Sequence, residues 1–373
     1  MKTSFRWYAA IAVFTMVLLL AACGDQKESE VVEAENMGEE ISGETESNQV
    51  VEDVVEEDYI VVVANEKDET LAVIKYPEQT QEIIELEGQA HNLEVNVDTE
   101  LVWVTINPPH GHDDEEDGHS HGHSHDEEGV EKVVAYDLNT LEKVEEYEVG
   151  NHPAHVTITK DGNIVVVTNS GDDTITIINR STEELTTVAV GEYPHGARIS
   201  PDQQFVYIAN MQSADMSIVD LTLKEEVNRI DVGNGAVQTG FSHDGKYAFV
   251  GLHVDNQLAV VDVETQELVE KIDVGVGPVQ MYASYDDRYV IVANQGSEEA
   301  PSDTISIISL ETLEIVKELQ VGQGAHGIVI SKDSRYAFIT NMFEDTVSVV
   351  DLDTLEETAR IDVGYFPNGI SIN

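Results

Sequence analysis

The stretch Ile164–Gln204 reads IVVVTNSGDDTITIINRSTEELTTVAVGEYPHGARISPDQQ, and the residues after it say nearly the same thing twice more. FVYIANMQSADMSIVDLTLKEEVNRIDVGNGAVQTGFSHDGK runs from Phe205, and YAFVGLHVDNQLAVVDVETQELVEKIDVGVGPVQMYASYDDR from Tyr247. Each unit holds four runs of about five residues, rich in Val, Ile and Tyr, alternating apolar with polar positions and separated by turn residues, which is the signature of strands. Outward from these units, the glycine after each fourth run recurs at Gly150, Gly191, Gly233, Gly275, Gly322 and Gly364, with spacings of 41, 42, 42, 47 and 42. Gly88 opens the series 62 residues before Gly150, so the first interval carries an insertion of about 20 residues, at 108–129.

A period near 42 with four strands per unit reads as one blade of a β-propeller. The chain stops at PNGISIN, an innermost strand with no successors, and the repeats begin at Tyr59 with YIVVVAN, a second strand with no predecessor. Pairing the two gives an all-β, seven-bladed propeller over 59–373, closed by one C-terminal strand plus three N-terminal strands. Closure also removes the open sheet edges that invite aggregation. The wording VVVTNSGDDTITIIN, then VGEYPHGARISPD, resembles the YVTN-type propeller repeat, and the resemblance extends over residues 59–373. It implies an architecture and leaves function open, because such propellers serve many roles.

Ahead of the repeats, Lys2 and Arg6 precede a mostly apolar run from Tyr8 to Ala22. At fifteen residues it is short for a membrane span and has the charge order of a secretory signal, assigned to 1–22. Leu20-Ala21-Ala22-Cys23 resembles the lipobox of bacterial lipoproteins, which implies lipidation of Cys23 and anchoring at the outer face of the cell membrane or in the periplasm. Cys23 is the one cysteine, so metal ligands elsewhere must be imidazole or carboxylate. Residues 24–58 hold fourteen Asp or Glu against one Lys, with no aromatic side chain, so 23–58 is expected to be a disordered acidic tether. The whole chain carries a formal charge of −54, which disfavours nucleic acid and anionic lipid headgroups as partners.

Thirteen histidines are distributed unevenly. Six of them, His110, His112, His119, His121, His123 and His125, fall in the inserted segment HGHDDEEDGHSHGHSHDEE. Antiparallel order puts two kinds of loop on one face: the loop after the TN-type strand end, which holds the insertion and His253, and the G-x-x-P segment leading to the next inner strand. The second kind carries His91, His152, His155, His195 and His326, leaving only His243, in SHDGK, on the opposite face. Aligning the G-x-x-P segments places His195, His326 and Asn368 at one register, His155 one position later and His91 one position earlier. Asn65, Asn169, Asn210, Asn294 and Asn341, at the ends of second strands, are expected to form turns with their own backbone.

Zinc draws its ligands to about 2.0–2.1 Å in a tetrahedron, and strand starts on adjacent blades can supply such convergence at a channel mouth. His91, His155 and His195 are three candidate ligands, with His253, a carboxylate or water as a fourth. The PHG and AHG sequences at His195 and His326 also resemble a blade-joining turn, so a structural role stands beside the ligand role for both. In HSHGHSH, imidazoles alternate with small residues and carboxylates surround them, a composition suited to collecting cations. Imidazole with carboxylate suits Zn(II) foremost, and also Cu(II) or Ni(II).

Three functions fit these residues. The first is capture and delivery of a transition metal: propeller plus histidine tract is similar to the β-propeller zinc chaperones, a resemblance that implies a metal transporter's solute-binding protein as partner. The second is an enzyme using the channel, since related propellers include cytochrome d1-like and lactonase folds, although no CxxCH haem-attachment motif is present. The third is a surface recognition or adhesion protein in which metal binding is incidental.

Overall fold

The computed structural model describes residues 58–108 and 130–373. They form seven four-stranded antiparallel sheets arranged as the blades of a propeller. Blade 1 combines the last strand, Pro367–Ile372, with Tyr59–Asn65, Thr70–Tyr76 and Thr80–Glu85, in that order outward. Blades 2 to 7 follow in sequence, their innermost strands being Gln89–Asn96, Pro153–Ile158, Pro194–Ile199, Ala236–Phe241, Pro278–Ala283 and Ala325–Ile330. Ring closure therefore has the expected form, with Val61 opposite Ile372 and Val63 opposite Ile370. Signal segment 1–22, Cys23, the tether to Glu57, and the six histidines of the insertion lie outside the described residues.

The expected alternation of apolar and polar positions holds only in the outermost strands. EEVNRID (225–231) alternates exposed and partly buried side chains, whereas IVVVTN (164–169) and TITIIN (174–179) are buried at nearly every position. Blades stack face to face, so a middle strand is covered on both sides and only the last strand meets water. The core consequently lies between blades: Val166, Ile175 and Ile177 of blade 3 pack against Ala197, Val206 and Ile208 of blade 4. Each such fully buried aliphatic side chain contributes roughly 1.5–3 kcal/mol.

The recurring glycines have a steric origin. An added Cβ at Gly150, Gly191, Gly322 or Gly364 would lie 2.4–2.7 Å from the side chain of Asn169, Asn210, Asn341 or Asn65 respectively. Those asparagines are fully buried, and they do more than shape a turn. Asn169 accepts the Gly150 N–H at 3.1 Å and donates to the Thr174 and Thr176 hydroxyls, and Asn341 does the same with Gly322, Thr346 and Ser348. Asn169 and Asn341 are staples joining the second strand, the third strand and the following G-x-x-P segment, whereas Asn65 and Asn210 tie the second strand to the third alone, through Thr70 and through Asp215 and Ser217. At the opposite face, turns such as SHDGK and SKDSR close through a hydroxyl–carboxylate bond, Ser242 to Asp244 and Ser331 to Asp333.

Candidate metal centre at the channel mouth

Every innermost strand is irregular at the same place. Its first residues pair with the neighbouring strand, then pairing breaks and resumes, as between Pro153 and Val156, Pro194 and Ala197, Ala90 and Leu93, and Ala325 and Ile328. Bulges of this kind re-aim side chains next to sites. Counting back from where pairing resumes (Leu93, Ala197, Ile328, Ile370), His91, His195, His326 and Asn368 share one register, two residues before. His155 stands one residue later, as expected. His91 is therefore not displaced by one position; it is Gly88 that stands one residue nearer to its histidine than Gly191 and Gly322 do, in a segment where Ala90 makes a pairing with Ile106 that the other blades lack.

Blades 2, 3 and 4 bring His91, His155 and His195 together, with a ligand atom from each lying within 4.8 Å of the other two. His91 Nε2 and His195 Nε2 are 3.2 Å apart, and the ring centroids are separated by 4.8–5.8 Å. His155 is fully buried and the other two are half-buried. Among the described residues these are the histidines that converge. His326 faces the mouth from blade 7, and His253 packs beside Gly277 on blades 5 and 6, so neither joins the cluster. His152 lies near Tyr193 on the same face, and His243 stacks on Tyr285 at the other end of the channel, as the strand order requires.

Hydrogen bonds fix how each ring is presented. His195 Nδ1–H donates to the Val237 carbonyl at 3.0 Å, which leaves its Nε2 as an acceptor, so His91 Nε2–H is the donor between them. His326 makes the matching bond to the Asn368 carbonyl at 3.2 Å. The PHG and AHG sequences thus do join blades, and in His195 the same bond turns Nε2 toward the other two imidazoles. Gln238, whose Oε1 accepts the Thr239 N–H, presents its amide NH₂ to His155 Nδ1 at 3.2 Å. Asn368 likewise donates to His91 Nδ1 at 3.2 Å and to Glu66 at 2.6 Å, and Glu66 Oε1 stands 3.7 Å from His91 Nδ1. Beneath the rings, the Thr168 hydroxyl accepts the His155 N–H and donates to the His195 carbonyl, tying two histidine-bearing bulges together.

Burial sets the protonation of the cluster. Loss of solvation, reinforced by His195 and His91, holds His155 well below the ordinary histidine range. Burial and the nearby His91 bring His195 down to about 3, and the same two causes bring His326 to about 4. Burial alone would raise the Glu66 carboxyl, but hydrogen bonding and charge from His91, with the Asn368 amide, outweigh it and bring it to about 2. The neutral imidazoles of His155 and His195, with the ionised Glu66 carboxylate nearby, favour a cation.

Glu66, Gln238, Asn368 and Thr168 support the site, and no repeat position or motif singles out the first. Glu66 sits in the one 3₁₀ turn among the described residues, Glu66–Asp68, in a chain with many acidic side chains. Gln238 had a signal, since Gln238 and Gln280 occupy the register of His155 on blades 5 and 6.

Two family models match parts of the sequence: a Cytochrome D1 heme domain over residues 159–276, and a YNCE-like beta-propeller over 229–372. The chain is a β-propeller repeat protein. No curated protein sequence matches it. Among solved structures it is similar to Kuenenia stuttgartiensis hydrazine synthase, at 18% identity and TM-score 0.64 over 76% of this chain and 89% of that one. It is also similar to a protein of unknown function from Desulfotomaculum acetoxidans, at 15% identity and TM-score 0.69 over 84% and 98%. A third is described as a putative 6-phosphogluconolactonase from Bacteroides fragilis, at 14% identity and TM-score 0.67 over 86% and 99%. These likenesses show the fold. The haem of the first family does not fit the residues here: the matched segment brings only His195 to the cluster, and its Nε2 faces His91 Nε2 at 3.2 Å, leaving no room for a macrocycle over that nitrogen.

Proposed function

We propose that this protein captures a divalent transition metal, zinc foremost, outside the cytoplasmic membrane and passes it on. The observation that carries this reading is the convergence of three largely buried imidazoles, one pinned through Nδ1 to a backbone carbonyl, with ligand atoms within 4.8 Å of one another. A modest inward movement of the rings brings such atoms to zinc–nitrogen distance, with a fourth position left for water or another ligand. With Nε2 given to the metal, the His91 proton would move to Nδ1, which stands 3.7 Å from Glu66 Oε1, the carboxylate–histidine pairing common around zinc.

The histidine tract supplies the collecting step. Its described flanks belong to the same mouth: Asn107 pairs with Gln89 and donates to the carbonyl of Pro153, which opens the strand of His155. Lipid on Cys23 would hold the molecule at the membrane, and the receiver would be a metal importer's solute-binding protein. A metal-dependent enzyme is the second reading, favoured by the open fourth position. Glu66, the carboxylate nearest the cluster, is a poor general base when its carboxyl sits near 2, which supports binding over catalysis.

Competition titration of zinc against a chromogenic chelator tests the reading on three proteins: the mature chain, a variant lacking residues 110–125, and His155→Ala/His195→Ala. Two classes of site are expected, each removed by one change. Tight zinc binding that survives both changes together would sink the assignment of ligands.

A further inference from the structure

The opposite mouth of the channel holds a second pocket with different chemistry. Three residues past His195, roughly 10 Å along the strand, stands Arg198, the only lysine or arginine on any of the seven innermost strands. Its guanidinium is four-fifths buried, with Nη1 bonded to Glu94 Oε2 at 2.7 Å. At the matching register the next two blades carry Gly240 and Tyr282, opposite Phe249 and Ile291 as Arg198 is opposite Tyr207. Because Gly240 has no side chain, a cavity of about 330 Å³ opens between arginine and tyrosine. Phe241, Met281 and Ile199 give it apolar walls, and His243 stands at its edge, stacked on Tyr285 at 4.0 Å.

We infer that this pocket binds a small organic monocarboxylate, its carboxylate on Arg198 and its hydrocarbon body against Phe241 and Met281. A guanidinium has five N–H donors in a planar fork suited to a carboxylate, and the bond to Glu94 engages one end of it. A multiply charged anion is disfavoured, because Glu94 lies beside the same guanidinium. Ser242 adds no donor, since its hydroxyl is committed to Asp244 and the Tyr247 carbonyl, and the remaining polar side chains of the wall, Tyr282 and His243, are uncharged partners beside the one cation. Apolar walls from Phe241, Met281 and Ile199 around one convergent cation match the usual composition of a small-molecule site. Nothing in this site depends on the histidine cluster, which faces the other mouth.

Saturation-transfer NMR on the full chain, with benzoate, phenylacetate and hexanoate as probes and their amides as controls, tests the inference. The acids are expected to receive saturation with millimolar affinity, as befits ligands of about ten heavy atoms, and the amides are not. Gly240→Leu fills the cavity while leaving the Arg198–Glu94 pair in place; its Cβ would stand 3.2 Å from the flexible Met281 side chain and 3.3 Å from the Met281 carbonyl, a tight fit that a small shift relieves. Both Gly240→Leu and Arg198→Met are expected to weaken acid binding at least about tenfold, whereas His155→Ala/His195→Ala leaves it unchanged. Far-ultraviolet circular dichroism confirms the fold of each variant, and Gly240→Leu decides alone should Arg198→Met fail to fold. Equal saturation of acids and amides, no saturation of any probe at about 10 mM, or undiminished binding to Gly240→Leu would overturn the proposal.

Discussion

The two halves of the histidine-bearing mouth are built on one backbone and end in different chemistry. Blades 2, 3 and 4 place His91, His155 and His195 in the bulge, while blades 5 and 6 place Val237-Gln238 and Val279-Gln280 in the same bulge. The halves also differ one step outward. His152, Tyr193 and Phe366, on the segments leading into blades 3, 4 and 1, hold left-handed backbone at φ of 55–61°, where blades 5, 6 and 7 have Gly235, Gly277 and Gly324. Bulky residues in that conformation cost about 1–2 kcal/mol each, so the side of the mouth nearest the imidazoles carries strain that the other side avoids. The repeat thus fixes where a side chain enters the mouth, and the identity of that side chain alone decides whether it offers a ligand.

Exchanging residues at one register breaks this comparison most sharply. His155→Ala is expected to weaken zinc binding to the cluster by about a hundredfold or more, whereas Gln280→Ala, at the same register on blade 6, leaves it unchanged; isothermal calorimetry on protein lacking residues 110–125 reads both. Gly196→Ala tests the scaffold instead. Its Cβ would meet Gln238 Oε1 at 2.0 Å and Gln238 Cα at 2.5 Å, so a loss of about 1–3 kcal/mol in urea unfolding is expected, with Gln238 pushed against His155.

Acid should distinguish the halves more gently. His195 and His326 titrate near 3 and 4 when folded and near 6.5 when unfolded, so the unfolded chain takes up more protons as pH falls below 6.5. Their contribution is complete above that pH and is lost progressively toward pH 4. Unfolding midpoints at pH 7.5, 5.5 and 4.5 should show a shallower decline for His326→Asn than for the unaltered protein. The smallest effect expected is that of His326→Asn on zinc affinity at pH 7.5, a change below about threefold, since His326 stands outside the cluster and acts as a blade-joining donor.

Much of this was legible because the repeat is strict. The glycine spacing marks the blade repeat, the strands PNGISIN and YIVVVAN at its two ends give blade count and closure, and strand polarity alone puts His91, His155 and His195 on one face. Three things were not legible. Burial on both faces of the middle strands depends on blade stacking, which single-strand alternation does not encode. The true register of His91 depends on a pairing in blade 2 visible only as hydrogen bonds. Glu66 was hidden among seventy-three acidic residues until the closing strand brought Asn368 and blade 2 brought His91 against it.

The joint hold of His91, His155 and His195 on one cation is tested most directly by X-ray absorption at the zinc edge on protein lacking residues 110–125, loaded with one equivalent of metal. Three imidazole scatterers at about 2.0–2.1 Å and one further light ligand are expected, with the imidazole signal lost in His155→Ala/His195→Ala. Zinc that washes away from the shortened protein, or a purely oxygen-ligated spectrum that the double variant leaves unaltered, would contradict the account.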